Sequence, residues 1–236
     1  MKKFRVLLYV IGLMSLFIIL QYDFEEDDAW RMQNLPLSGQ IIVLDPGHGG
    51  PDPGAVQGEA IEKDISLNVS LKLRDYLQQQ GALVLMTRET DIDLADKDLK
   101  GYSRRKVQDL KRRLELINHS DASFFASIHL NAIPSSKWKG AQTFYSGHFK
   151  ESKRGAKFIQ EELRRNLENT NREAKTSDSI YILKNSEIPG VLVEIGFLSN
   201  PTERELLRQE EYQEQVAASI YQGVMRYYTN ERKIFN

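Results

Sequence analysis

The sequence predicts one three-layer α/β domain around a central mixed, largely parallel sheet, preceded by a short targeting segment. Four short apolar runs, at residues 41–44, 83–86, 124–128 and 191–193, are continuous rather than alternating, as strands covered on both faces are. Helix-period stripes separate them. A polar residue stands directly after each run, and parallel strands would bring those residues to one edge of the sheet, where open α/β folds place their sites.

The chain opens with Lys2, Lys3 and Arg5, then an apolar stretch over residues 6–20, then Asp23, Glu25, Glu26, Asp27 and Asp28. Basic, apolar, acidic is the layout of an export signal or membrane anchor, read here as residues 1–22. As a helix the apolar stretch spans about 22 Å, against a bilayer core of about 30 Å. No small-x-small cleavage site follows Leu20, which favours an uncleaved anchor over a cleaved signal. The basic flank stays inside, so the rest of the chain is expected on the outer face of the membrane, anchored or secreted. Residues 23–38 read as a linker and 39–230 as the domain.

Within the domain, Ile61, Ile65, Val69, Leu73 and Leu77 make a helical stripe ended by Gly81. Val107, Leu110, Leu114 and Ile117 make a second, with Ser103 placed to cap it. Further helices are expected over 154–167 and 212–228, the last with Val216, Ile220, Val224 and Tyr227 inward. Residues 141–145 read as an extra strand. The basic positions Arg104, Arg105, Lys106, Lys111, Arg112 and Arg113 read as the solvated face of a helix.

Composition excludes several classes. The 236 residues carry 32 Lys plus Arg against 33 Asp plus Glu, a net charge of -1, so no basic field for nucleic acid exists. The absence of cysteine removes disulfides, a cysteine nucleophile, a lipoprotein signal and thiolate metal ligands. Any metal must then sit on His, Asp or Glu.

The residues after the strands supply such a set. Asp45-Pro46-Gly47-His48-Gly49-Gly50 follows the first, Thr87-Arg88 the second, His129-Leu130-Asn131 the third, and Glu194 ends the fourth. The loop around His48 matches no phosphate-binding fingerprint, and its glycines suit close wrapping about a ligand. Glu62 opens the helix after the first strand; a first-turn carboxylate favoured by the helix dipole is its bland reading. With the histidines it completes a His, Glu, His set of the type that holds catalytic zinc with a fourth position open. Glu194, enclosed by Val191, Leu192, Val193, Ile195 and Phe197, needs a partner, a proton or a nearby cation. It reads either as an ion pair with Arg88 or as a general base. His119 and His148 read as surface residues.

Assembled in this way, the sequence resembles the zinc-dependent N-acetylmuramoyl-L-alanine amidases of peptidoglycan, amidase type 3. The matching stretches are LDPGHGGPDPGA, the IEKD at 61–64, LMTRETD, the SIHLNA at 127–132 and LVEIGFLSN at 192–200. The resemblance implies Zn2+ on His48, Glu62 and His129, with Glu194 as the catalytic glutamate. Asp45, Arg88 and Asn131 are candidates for orienting ligands or touching substrate. The LPLSG stretch, KGYSRRK, LINHSDA and ELRRNLENT bring the chain nearest to the germination-specific branch that acts on the spore cortex of endospore formers. That implies removal of the stem peptide from muramic acid, a step towards muramic δ-lactam, with cortex peptidoglycan as substrate, the membrane met through the N-terminal segment, and an activating or targeting protein as a further partner. Many relatives carry an arginine where this chain reads Tyr181-Ile182-Leu183-Lys184. The competing readings are a zinc peptidase cutting within the stem peptide, a glycosidase using Glu62 and Glu194, and a wall-binding module without turnover.

Overall fold

The computed structural model describes residues 2–21 and 35–232. Lys2–Gln21 form helix α1, whose apolar side chains from Phe4 to Phe17 are largely exposed. Among the described residues no helix is long and apolar enough to cross a membrane, which leaves the expected spanning anchor without support. Most of the expected linker lies outside the described residues. Its last part is already core: Leu37 is fully buried, and its N–H donates to the Gln80 carbonyl at 2.9 Å.

The domain runs β1 (Ile41–Pro46), β2 (Val56–Gln57), β3 (Ala60–Ile61), α2 (Glu62–Gln79), β4 (Leu83–Met86), α3 (Tyr102–Asn118), β5 (Phe124–Asn131), β6 (Gln142–Tyr145), α4 (Lys150–Leu167), β7 (Lys175–Thr176), α5 (Tyr181–Asn185), β8 (Gly190–Phe197), α6 (Pro201–Leu207) and α7 (Glu210–Arg232). The main sheet has the order β4-β1-β5-β8-β6-β7. Its first four strands are parallel, β6 runs antiparallel to β8, and β7 follows β6. The expected mixed, largely parallel sheet is therefore present.

Both faces of the sheet are covered, which is why its strands read as unbroken apolar runs. Ile42, Leu44, Phe124, Ala126, Ile128, Val191, Val193 and Ile195 point to a large core shared with α2, α4 and α7. Val43, Phe125 and Leu192 point the other way, to a smaller core with Ile117 of α3 and Ile182 and Leu183 of α5. Strand alternation puts Asp45, Ser127, His129 and Glu194 on that second face.

Several local expectations change. Helix α3 starts at Tyr102 after Gly101, with no side-chain cap, so Ser103 lies inside the helix. Its inward face is Asp109, Arg113 and Ile117, while Val107 is exposed. The helix phase is turned from the apolar stripe because this face meets polar groups under the sheet edge. Arg113 is only 2% exposed, not solvated. Helix α4 begins at Lys150, before the expected residue 154. Helix α6 has the start the sequence spells out in Asn200-Pro201: the Asn200 side chain accepts from Glu203 N–H, and Pro201 opens the first turn.

Candidate metal centre and catalytic site

The loop after β1 is held from beneath by two buried arginines. Arg88 donates from Nε to the Pro46 carbonyl at 3.1 Å and from Nη2 to the carbonyls of Gly47 and Lys63 at 2.8 and 2.7 Å. Arg113 donates from Nη1 to Asp45 Oδ1 at 2.8 Å and to the Pro46 carbonyl at 2.6 Å, and from Nη2 to the His48 carbonyl at 2.5 Å. Asp45 also accepts from Thr87 Oγ1 at 2.7 Å and Ser127 Oγ at 2.6 Å. Burial alone would raise the Asp45 carboxyl, but the Arg113 charge and these hydroxyl bonds hold it below its ordinary value. Asp45 and Arg88 thus buttress the loop. Arg88 spends its guanidinium on backbone carbonyls, so the ion pair with Glu194 weighed from the sequence is not what it makes.

This scaffold holds His48 at φ 60, a left-handed conformation unusual for a residue with a side chain. His48 Nδ1 meets Asp52 Oδ2 at 2.9 Å and its Nε2 meets Glu62 Oε1 at 3.2 Å, so the ring is held between two carboxylates. His129 Nδ1 lies 3.0 Å from the same oxygen. Glu62 is fixed in turn: Oε1 accepts from Leu130 N–H at 2.9 Å and Oε2 from Ala55 N–H at 2.8 Å. One donor atom each from His48, Glu62 and His129 lie within 4.8 Å of one another.

The chain is shaped around these side chains. A Cβ on Gly47 would stand 2.4 to 2.6 Å from the His129 ring, and one on Gly54 would stand 2.5 Å from Glu62 Oε2. Burial would lower His48, yet its contacts with Asp52 and Glu62 raise it to about 9. Burial would raise Glu62, yet His129 and His48 hold it well below the carboxylate range. Two imidazoles gathered on one anionic oxygen, with the outer atoms of His48 and Glu62 already bonded, are a donor set suited to a divalent cation.

Glu194 is the register partner of His129 on the neighbouring strand. Burial pushes its carboxyl up to about 7, with Glu62 adding to the rise and the two histidines opposing it. Its Oε2 is buried with no hydrogen-bond partner. Beside the site lies a cavity of about 280 Å³, walled by Lys106 and Leu110 of α3, Ile180 to Ile182, and Leu192.

Four expected residues, His48, Glu62, His129 and Glu194, therefore converge. Asn131 sits at the end of β5, where its carbonyl accepts from Leu198 N–H at 2.9 Å. Sequence reasoning missed Asp52, which takes His48, the Tyr102 hydroxyl at 2.8 Å and Lys106 Nζ at 3.0 Å. It also missed Arg113. A carboxylate four residues after a candidate ligand histidine in a glycine loop was the available signal for Asp52. Residues 91–102 border the site: Asp91 accepts from Gly50 N–H at 2.7 Å, while Arg105 and Arg112 fasten Asp93 and Asp96 to α3.

Fold and site together define an α/β domain with a His, Glu, His donor set beside a glutamate whose buried carboxyl is raised to about 7. The chain belongs to the N-acetylmuramoyl-L-alanine amidase family, whose profile matches residues 42–226. It is 56% identical over 230 residues to the germination-specific N-acetylmuramoyl-L-alanine amidase of Bacillus subtilis (strain 168), covering 98% of this chain and 97% of that one. The CwlD amidase of Clostridioides difficile, solved in complex with the GerS lipoprotein, matches with a TM-score of 0.79 and 47% identity, over 81% of this chain and 99% of that one. An N-acetylmuramoyl-L-alanine amidase of Clostridium difficile 630 matches with a TM-score of 0.72 and 30% identity, over 81% and 98%.

Proposed function

We propose that this chain hydrolyses the amide between the lactyl group of N-acetylmuramic acid and L-alanine of the stem peptide in spore-cortex peptidoglycan, preparing the bared sugar for conversion to muramic δ-lactam. Kinship with the germination-specific amidase supports the substrate. The observation that carries the chemistry is Glu194 in register with His129, beside the three donor atoms.

Zinc suits two imidazole nitrogens and one carboxylate oxygen, with His48 Nε2, Glu62 Oε1 and His129 Nδ1 to hold it. Bound there it supplies Lewis acidity towards the amide carbonyl and makes water more acidic. The remaining work falls to the chain. With its pKa raised to about 7, Glu194 can take a proton from the attacking water and return it to the departing alanine amine. Its unpartnered Oε2 is free for that proton. Asp52 holds the His48 ring in place. A glycosidase pairing of Glu62 with Glu194 is disfavoured, because Glu62 is held ionised and both its oxygens already accept hydrogen bonds.

The N-terminal segment acts as an export signal that puts the domain on the outer side of the membrane, where its substrate lies; protease shaving of intact cells tests this. A lipoprotein partner of the kind crystallised with the Clostridioides difficile amidase assists the enzyme. Full turnover by the isolated soluble domain would remove the need for one. The decisive assay treats purified cortex peptidoglycan with the zinc-loaded chain. New N-terminal alanine should appear, and Glu194→Ala and His48→Ala should abolish it. Cuts within the stem peptide, or full activity in Glu194→Ala, would overturn the reading.

A further inference from the structure

The loop between β5 and β6 presents an unusual side chain. Trp138 is 53% exposed, although large aromatic residues are mostly covered. It is not loosely held. The Arg172 guanidinium lies 5.5 Å from the centre of the Trp138 ring and 4.9 Å from that of Phe197, so one cation engages both rings. Asn200 Nδ2 donates to the Ser136 carbonyl at 2.8 Å. Glu203 accepts from Gly140 N–H and from Phe197 N–H, each at 2.8 Å, tying the loop to β8.

The position relates this cluster to the chemistry. Trp138 comes four residues before Gln142, the antiparallel register partner of Glu194, and Phe197 lies three residues beyond Glu194 on β8. The cluster therefore stands at the catalytic edge of the sheet, on the β6 side, away from the cavity under α3. Beside it opens a second cavity of about 460 Å³, lined by Lys139, Glu168, Asn169, Thr170, Asn171 and Arg172. An exposed aromatic face next to amide, hydroxyl and charged groups offers both stacking and hydrogen bonds. A pyranose, with apolar C–H faces and a belt of hydroxyls, is complementary to that combination. A protein partner would favour a continuous apolar patch, and this lining is polar.

We infer that Trp138 and Arg172, with the adjoining polar cavity, form a subsite for a sugar ring of the glycan strand, flanking the muramic acid whose amide is cut. This inference rests on the peptidoglycan reading and adds a glycan arm to it. It predicts that the enzyme distinguishes a polymer from a single muramyl-peptide unit through Trp138.

Two measurements test it. In the first, kcat/KM is compared on cortex glycan strands and on a single muramyl-peptide unit. Trp138→Ala should reduce the preference for the polymer about tenfold, mostly through KM, and Trp138→Tyr should restore it. In the second, the fluorescence of Trp138 is followed with peptide-free N-acetylglucosamine–N-acetylmuramic acid oligosaccharide in a Trp30→Phe background, because the chain has 2 Trp. A saturable emission change is expected. Unmoved emission, or an unchanged polymer preference in Trp138→Ala, overturns the subsite, as does a defect seen only when a stimulating protein is present. If emission shifts while the parent protein cleaves no amide, the amidase reading fails and the sugar site stands.

Discussion

Replacing Glu194 by glutamine tests the carboxyl in two independent ways. In the metal-free protein its pKa is raised from 4.5 to about 7, mainly by burial. Between those values the folded chain keeps a proton that the unfolded chain has released. Folding is therefore favoured most at low pH, and this contribution is lost as pH rises through the window. A shift of this size corresponds to about 3 kcal/mol. Glutamine has no proton to lose, so the variant should gain on the wild type by roughly that amount between pH 4 and pH 8. Urea unfolding of the chelated proteins at the two pH values measures the difference.

Catalysis should move in the opposite sense. Glu194 accepts a proton only when ionised, so wild-type turnover should climb on the acid side of its profile as the carboxyl ionises. Glu194→Gln should lower kcat by about 10²- to 10⁴-fold and lose that limb, with zinc still bound. A stability difference that does not change with pH would refute the burial argument. Near-normal turnover in the variant would refute the proton transfer.

Other perturbations address the parts that surround it. Chelation should abolish turnover, and stoichiometric zinc should restore it, read by metal analysis alongside alanine release. Asp52→Ala should weaken zinc binding by about 10- to 100-fold, as calorimetry would show, because the His48 ring loses its orienting carboxylate. Gly47→Ala sets a methyl against the His129 ring and should cost metal affinity while circular dichroism stays native. Arg113→Met leaves Asp45 and Asp109 buried without their cation and should destabilise the domain by about 3–5 kcal/mol, measured by denaturant titration.

What could be read from the sequence follows from how each residue contrasts with its neighbours. The four parallel strands stood out because burial on both faces makes a strand uniformly apolar. Glu194 stood out because a carboxylate inside Val191 to Phe197 breaks that uniformity, and the structure gives the reason: a raised pKa and an oxygen without a partner. The two-residue strands β2, β3 and β7 carry no period to detect. Arg113 and Asp52 stayed hidden for a different reason. Each sits in a locally polar stretch, where a buried ion pair has the same composition as a solvated face.

Arg113 marks that limit most clearly. Its partner Asp45 lies 68 residues earlier, and only the packing of α3 beneath the sheet edge brings them together. The apolar stripe on α3 predicts an apolar inward face, as a helix packed on a core would have. Here the helix faces the backbone of the His48 loop, whose carbonyls need donors, so arginine is the inward residue. The left-handed φ of His48 and the two guanidiniums on its loop belong to one arrangement, which fixes the ring of this candidate ligand through the fold alone. The candidate ligands could be found from strand ends and residue type, but the groups that hold them still could be found only from the fold.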